Sequence, residues 1–217
     1  MKNNSAEVES NQSGIHEDLG LLIDKYKKSA YLKPIQKHNK EAFVELLSVI
    51  QECEYLPVID SCCGTAMSSF KLAERYPERW VIGIDQSAKR LLKQQGSAHK
   101  VKLLRANCED LWRLMVEHGL TAYKHYILYP NPWPKAEHVK RRWHGHPVFP
   151  VLPQISAAIE VRSNWELYVQ EFAFAWKQLT GVTGTVSSFH ATEPVTLFEK
   201  KYHNSGHALY CFTAGKA

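Results

Sequence analysis

One strand–turn–helix–strand segment constrains the fold of this chain more than any other part of the sequence. An apolar strand near residues 57–60 runs into a turn of small residues that contains Gly64, and a helix follows near residues 67–76. A second apolar strand, near residues 80–84, ends in the carboxylate of Asp85. This order predicts a βαβ unit that binds a nucleoside, because the turn lets a ligand approach the backbone and the acid accepts hydrogen bonds from ribose hydroxyls.

A regular alternation of strands and helices continues from this unit to the end of the chain. We predict strands near residues 57–60, 80–84, 101–105, 125–128, 158–163, 182–190 and 207–213. We predict helices near residues 67–76, 87–95, 108–118 and 165–179. Such alternation is typical of a mostly parallel sheet with helices on both faces. Because no helical pattern separates the last two strands, the sheet is expected to end in an antiparallel pair.

The length and the N-terminal composition predict one domain with a tail. The 217 residues are enough for a single domain with a sizeable core. Residues 1–15 are predicted to be a disordered tail, and residues 16–52 have the pattern of a helical extension. The domain as a whole is expected to cover residues 16–217.

Composition argues against a membrane or secreted protein. No apolar run approaches the ~20 residues that cross a bilayer. The first residues are polar, unlike a secretory signal. The five cysteines, none in C-x-x-C spacing, are at positions 53, 62, 63, 108 and 211. An odd number of cysteines without an export signal favours reduced thiols and a cytoplasmic location.

A proline-rich loop follows the predicted strand at residues 125–128. Residues 129–135 read Tyr-Pro-Asn-Pro-Trp-Pro-Lys, and each proline fixes φ and removes a backbone donor. The result is a stiff loop that presents Asn131, Trp133 and Lys135 at the end of a strand. Ligands bind at such strand ends in open α/β sheets.

Basic residues are concentrated near this loop and in the N-terminal part of the chain. The formal net charge is only +5, so the placement of the charges is more informative than their sum. The basic residues that follow the loop are Lys140, Arg141 and Arg142. The N-terminal run, interleaved with Tyr26 and Tyr31, consists of Lys25, Lys27, Lys28, Lys33, Lys37 and Lys40. Basic side chains beside aromatic ones suit contact with RNA, although the N-terminal run equally fits a solvated helix face.

Taken together, these segments resemble the bacterial tRNA (guanine-N7)-methyltransferases. The resemblance is carried by residues 60–73, 83–85, 131–142 and 194–199, with Gly206-His207, and it spans roughly residues 55–213 in the family's order. It implies a Rossmann-like α/β fold of the class I methyltransferases. That fold has a seven-stranded, mostly parallel sheet with helices on both faces and an antiparallel C-terminal end. The resemblance also implies S-adenosylmethionine as cofactor and tRNA as partner.

The resemblance assigns four residues to the cofactor. Asp60, Gly64 and Asp85 belong to the nucleoside-binding unit, and only Gly64 remains where such turns usually carry three glycines. Asn107 stands where the family usually has an aspartate that bonds the adenine amino group. An asparagine carbonyl can accept the same bond, although a helix N-cap is an equal alternative.

The resemblance also assigns a substrate site. Asn131 and Asn164 replace two family aspartates, and they are the predicted catalytic residues, with Asn164 also a substrate contact. The tail residues Thr196 and Glu199 are expected at the cofactor and guanine site. The residues expected to contact tRNA phosphates are Lys135, Lys140, Arg141 and Arg142.

Other chemistries have weaker support in the sequence. The His144-x-His146 pair has no clear third metal ligand, so no metal site is predicted. Cys62 and Cys63 could be nucleophiles, but small buried residues inside the turn are the better interpretation.

The predicted activity is methyl transfer to N7 of a guanine in tRNA. Two alternatives stay open at this level. One is methylation of another nucleobase or amine nitrogen, because Asn-Pro-aromatic loops also resemble those of exocyclic amine methyltransferases. The other is a non-catalytic RNA-binding protein on a methyltransferase scaffold, which the depleted glycines and the two lost acids favour. The sequence is compatible with a monomer or a homodimer.

Overall fold

Seven strands form one sheet in the computed structural model, which describes residues 5–94 and 96–215. The strand order is β3-β2-β1-β4-β5-β7-β6. The strands are β1 (Val58–Ser61), β2 (Val81–Asp85), β3 (Val101–Arg105), β4 (Lys124–Leu128), β5 (Ile159–Ser163), β6 (Thr185–Phe189) and β7 (Leu209–Ala214). Strands β1 to β5 pair in parallel, whereas β7 is antiparallel to both β5 and β6. The predicted sheet, including its antiparallel end, is therefore confirmed.

Helices connect the parallel strands and extend the domain at its N-terminal side. In chain order they are α1 (Leu19–Lys27), α2 (Lys37–Gln51), α3 (Met67–Arg75), α4 (Ala88–Leu91), α5 (Cys108–Glu117), α6 (Leu152–Ile155), α7 (Glu166–Thr180) and α8 (Leu197–Asn204). Short 3-10 helices follow the proline-rich loop at Ala136–Arg141, Trp143–Gly145 and Phe149–Val151.

Several elements differ from the sequence-based prediction, among them the short helix α6, which was not predicted. The helix predicted at 87–95 ends at Leu91, and its last predicted residue lies outside the described residues. Strand β6 is shorter than predicted at both ends, with Gly184 packed against the ring of Phe212 just before it. Helix α8 was not predicted at all. The Thr196-x-x-Glu199 sequence that begins it is a capping signature, and the Thr196 hydroxyl accepts the backbone N–H of Glu199.

The strands bury alternate side chains on the two faces of the sheet. Ile59 and Ile127 belong to the larger hydrophobic cluster, which includes side chains of α1, α2, α5 and α7. Val58 and Tyr126, one residue earlier on the same two strands, belong to a smaller cluster with Leu72 of α3. Successive side chains of a strand point to opposite faces of the sheet, so the apolar residues of these strands are buried under helices on both faces. The carboxyl ends of β1, β2, β4 and β5 meet at one edge.

The described part of the predicted N-terminal tail contacts the rest of the domain. Residues 1–4 of that tail lie outside the described residues. Residues 5–15 have no helix or strand, yet they lie along the domain and form hydrogen bonds with it. Their polar composition suggested exposure to solvent, but the side chains of Ser10 and Asn11 form hydrogen bonds with the backbone of Pro134 and Ala136. Within the described ranges, no helix has the length and apolarity to cross a membrane.

Candidate functional site

A cleft of about 500 Å³ opens at the carboxyl edge of the sheet. Its lining combines the turn after β1 with the proline-rich loop after β4 and the residues that follow it. The lining residues are Cys62, Gln86, Arg90, Glu109, Tyr129, Pro130, Asn131, Trp133, Lys140, Arg141, Trp143, His146 and Phe198. A smaller cavity of about 70 Å³ adjoins it and is also lined by Asp85 and Cys108. The size of the larger cleft is that of an ordinary small-molecule site.

The turn after β1 keeps the shape of a glycine-rich loop with only one glycine. Cys62, Gly64 and Ala66 have φ of +63°, +61° and +61°, the left-handed region that glycine prefers. A left-handed residue with a side chain costs about 1–2 kcal/mol, so the surrounding packing must hold Cys62 and Ala66 there. A Cβ added to Gly64 would meet no atom within 4 Å, so space is open in front of the turn.

Asp60 is completely buried at the end of β1, behind this turn. Its Oδ2 accepts hydrogen bonds from the hydroxyls of Ser68 and Ser69 at 2.6 and 2.7 Å. Its Oδ1 has no partner among the described residues. Burial raises the pKa of Asp60 to about 6 against the opposing effect of the two hydroxyls. A buried carboxylate oxygen without a donor is the kind of group that a bound ligand satisfies.

Asp85 ends β2 and is already engaged on both oxygens. Oδ2 accepts the N–H of Gly64 at 3.0 Å and Oδ1 accepts the N–H of Ser87 at 2.8 Å. The guanidinium of Arg90 lies 3.2 Å from Oδ1. Arg90 is 45% exposed and lines the cleft. Sequence reasoning gave no role to Arg90.

Asn107 does not line the cleft. It precedes α5, its backbone N–H donates to the side-chain oxygen of Asn39 at 3.0 Å, and its side chain faces Glu109 at 3.5 Å. Glu109, two residues later, lines both cavities. The structure therefore gives Glu109 the place in the cleft that the sequence predicted for Asn107.

The proline-rich loop carries Asn131 and Trp133 into the cleft. Asn131 is exposed, and its side-chain oxygen accepts the backbone N–H of Trp133 at 3.4 Å. Tyr129 and Trp133 both have positive φ, +52° and +46°, so strained backbone flanks Asn131 on both sides. Such strain persists only where surrounding contacts over-determine it.

The four basic residues expected to contact RNA are not equivalent. Lys140 and Arg141 are exposed and line the cleft, and the Arg141 guanidinium lies 4.8 Å from the centre of the Trp133 ring. Lys135 is exposed outside the lining. Arg142 is completely buried and paired with Glu171 at 2.5 Å. The prediction of a phosphate contact is wrong for Arg142, because its buried guanidinium is paired with Glu171 and donates hydrogen bonds to the carbonyls of Trp133 and Lys135.

The tail residues Thr196 and Glu199 are also buried, away from the cleft. Thr196 caps α8, and Glu199 accepts Arg162 at 3.0 Å and the N–H of Val195 at 3.1 Å. These bonds use their polar groups to begin the helix and to neutralise Arg162, and neither residue lines the cleft. Phe198 of the same helix does line the cleft.

Asn164 lies at the end of β5, outside the cleft lining. Its amide nitrogen is 3.2 Å from Nδ1 of His207, whose Nε2 is 2.8 Å from the backbone oxygen of Ser5. The structure therefore separates the two asparagines that sequence reasoning paired. Asn131 faces the cleft, whereas Asn164 contacts His207 in the C-terminal part of the chain.

The described part of the chain offers no cluster of three or more potential metal ligands. His144 is buried and bonded to Glu171 at 2.8 Å, and burial lowers its pKa against the opposing effect of Glu171. The cysteines of the described residues are free thiols. Cys63 is buried as expected, whereas Cys62 is half-buried and lines the cleft. The sulfur atoms of Cys62 and Cys108 are 3.8 Å apart.

Similarity to known proteins was found for sequence and for structure. Residues 55–212 match the model of the family Methyltransf_4, described as "Putative methyltransferase". The tRNA (guanine-N(7)-)-methyltransferase of Neisseria gonorrhoeae strain NCCP11945 is 27% identical over 158 residues, which cover 68% of this chain and 66% of that protein. The enzyme of the same name from Escherichia coli K12 is 26% identical over 161 residues, with the same coverage. The match therefore spans just under two thirds of the length of these relatives.

Solved methyltransferase structures share the fold at low identity. The chain is similar to an antibiotic-related methyltransferase, with a TM-score of 0.60 and 18% identity over 79% of this chain and 93% of the other. It is also similar to the 16S rRNA methyltransferase KamB, with a TM-score of 0.58 and 15% identity over 84% and 94%. The family match covers most of the chain, and the sheet order, the turn after β1 and the edge cleft agree with it. The chain therefore belongs to the Methyltransf_4 family of methyltransferases.

Proposed function

We propose that this protein is an S-adenosylmethionine-dependent methyltransferase that acts on N7 of a guanine in tRNA. The observation that carries the proposal is the edge cleft itself. It joins the turn after β1, which is built to approach a nucleoside, to Asn131, Trp133, Lys140 and Arg141 in one continuous space. The names of the curated relatives support tRNA and the guanine nitrogen as the substrate.

The residues around the turn fit the cofactor. The open space in front of Gly64 leaves room for the cofactor. The Oδ1 atom of Asp60, which has no partner among the described residues, could accept a hydrogen bond from it. Asp85 would accept the ribose hydroxyls once Arg90 turns away from it. When bound, S-adenosylmethionine supplies an activated methyl group on its sulfonium centre. The chain has to hold that centre facing the loop.

The chemistry demands orientation more than proton transfer. N7 of guanine is a lone-pair acceptor with no proton to lose. The cleft suits this, because burial and the charge of Lys33 lower the pKa of the lining residue His146 to about 4 and keep it neutral at pH 7. Proximity and alignment then provide most of the rate enhancement. Asn131 accepts hydrogen bonds from the guanine edge, and the Trp133 ring flanks the base.

The tRNA would approach across exposed basic side chains at the cleft. Lys140 and Arg141 line it. The loop between α1 and α2 contacts two other lining residues, because Tyr31 packs against His146 at 5.0 Å between ring centres and Lys33 is 3.9 Å from Glu109. Part of the N-terminal basic run therefore borders the cleft. This placement supports phosphate contacts there, and a cytoplasmic location remains our expectation for such an enzyme.

The test is methyl transfer from labelled S-adenosylmethionine to bulk tRNA, followed by digestion to nucleosides. We expect the label in 7-methylguanosine. Asn131→Ala should reduce turnover at least tenfold while titration calorimetry shows unchanged cofactor binding. Label in an exocyclic N-methyl base would replace the N7 assignment with the amine alternative. Cofactor or tRNA binding without any transfer would identify a binding protein instead.

A second variant tests the role of Asn131 by an increase in activity rather than a loss of activity. An aspartate accepts two charge-assisted bonds from the guanine edge, whereas asparagine offers one neutral acceptor. The difference is about 1–2 kcal/mol, so Asn131→Asp should raise kcat/KM about tenfold. A fall in kcat/KM would show that the amide of Asn131 has a specific function.

A further inference from the structure

The last three residues of the proline-rich loop, and Ala136 directly after it, each have a backbone group that is hydrogen-bonded by a side chain from another segment. Arg142 donates from Nε to the Trp133 oxygen and from Nη2 to the Lys135 oxygen, both at 3.1 Å. The Ser10 hydroxyl donates to the Pro134 oxygen at 2.6 Å, and the Ala136 N–H donates to the side-chain oxygen of Asn11 at 2.9 Å. We call Ser10, Asn11, Arg142 and Glu171 the loop clasp.

Glu171 holds the clasp together from inside α7. Its Oε2 accepts Arg142 at 2.5 Å and His144 at 2.8 Å. Its Oε1 accepts the side-chain amide of Gln12 at 2.5 Å and the backbone N–H of His16 at 2.9 Å. One fully buried carboxylate thus ties the N-terminal segment and the arginine after the loop to the same helix.

The loop needs this support because of its own composition. Pro132 and Pro134 lack N–H groups, so the loop cannot form a regular ladder or helix of its own. Trp133 nevertheless has a left-handed φ of +46°, and its N–H is the donor to Asn131. We expect that releasing the carbonyls of Trp133, Pro134 and Lys135 lets Trp133 relax and turns the Asn131 side chain away from the cleft.

We propose that the N-terminal segment positions the substrate loop, with Ser10 and Asn11 acting as positioning residues through the backbone of residues 134–136. This inference rests on the proposed function for its consequence in catalysis, but the contacts themselves are independent of it. Ser10 and Asn11 are exposed, so changing them should leave the core and the cofactor side of the cleft intact. Misplacement of a reacting group by about 1 Å can cost about a hundredfold in rate.

The experiment uses the full chain with Ser10→Ala and Asn11→Ala combined. Hydrogen exchange at the Ala136 amide should accelerate at least tenfold, kcat should fall tenfold or more, and the Kd for S-adenosylmethionine should stay within twofold. The rescue variant, Ser10→Thr with Asn11→Asp, keeps the donor and the acceptor and should restore both readouts. Ser13→Ala, an exposed neighbour with no side-chain bond recorded within the described residues, is the matched control.

Two results would overturn the inference: unchanged exchange at Ala136, or a rescue variant as slow as the double alanine variant. If exchange at Ala136 responds as expected but wild type transfers no methyl group to tRNA, the clasp stands and the proposed function fails.

Discussion

Replacing Glu171 by glutamine should destabilise the protein by about 3–5 kcal/mol, because it leaves the charge of Arg142 buried without its partner. The pKa of Glu171 gives an independent value for the contribution of this carboxylate to the folding free energy. Burial alone would raise its pKa, but the hydrogen bond from His144 and the charge of Arg142 outweigh burial and lower the pKa from 4.5 to about 2. A difference of about 2.5 units corresponds to about 3 kcal/mol of folding free energy.

The pH dependence follows from the sign of that shift. Because the pKa is lower in the folded state, the stabilisation is fully present above about pH 4.5 and is lost as the pH falls toward 2. Wild type should therefore lose about 3 kcal/mol more than Glu171→Gln across that window. Urea unfolding followed by circular dichroism at pH 7 and at steps from pH 5 to 2 measures both effects. At neutral pH, Tm should fall by about 6–20 °C.

Glu166→Gln, on the same helix, is the matched control. Glu166 is exposed and, among the described residues, accepts a hydrogen bond only from the side chain of Gln170, so its replacement should change stability by less than about 0.5 kcal/mol. If Glu171→Gln resembles this control, or if its acid unfolding parallels wild type, then the buried pair does not hold the clasp and the reasoning is refuted.

Three further predictions concern binding. Neutralising Lys140 and Arg141 together should flatten the dependence of log K for tRNA on log salt by about 1.5 units without altering cofactor affinity, and an unaltered slope would exclude them as phosphate contacts. Asp85→Ala should weaken S-adenosylmethionine binding by about 1–3 kcal/mol in titration calorimetry, whereas equal affinity would remove Asp85 from the site. Arg90→Gln should tighten the same binding severalfold, because the guanidinium competes for Asp85 and repels the sulfonium. Weaker binding would make Arg90 a cofactor contact instead.

Local periodicity was sufficient to predict the sheet. The apolar runs and the turn signals specified seven strands, because burial on a pleated or helical face leaves a pattern in neighbouring residues. The antiparallel end was predicted correctly although α8 lies between the last two strands, where no helix was expected. The same local logic located Asp60, Gly64 and Asp85 around the turn, since chain order alone brings strand ends and their turns to one edge. It also placed Asn131 and Trp133 in a cleft.

Tertiary structure decided which polar side chains face that cleft. Arg141 and Arg142 are neighbours with the same chemistry, yet one is exposed and the other is buried against Glu171, 29 residues away in sequence. Asn164 is likewise bonded to His207, 43 residues later, instead of facing the cleft. The clasp joins Asn11 to a loop 125 residues downstream. Such pairings leave no local pattern, because a hydrogen bond between distant residues is specified only once packing brings its donor and acceptor together.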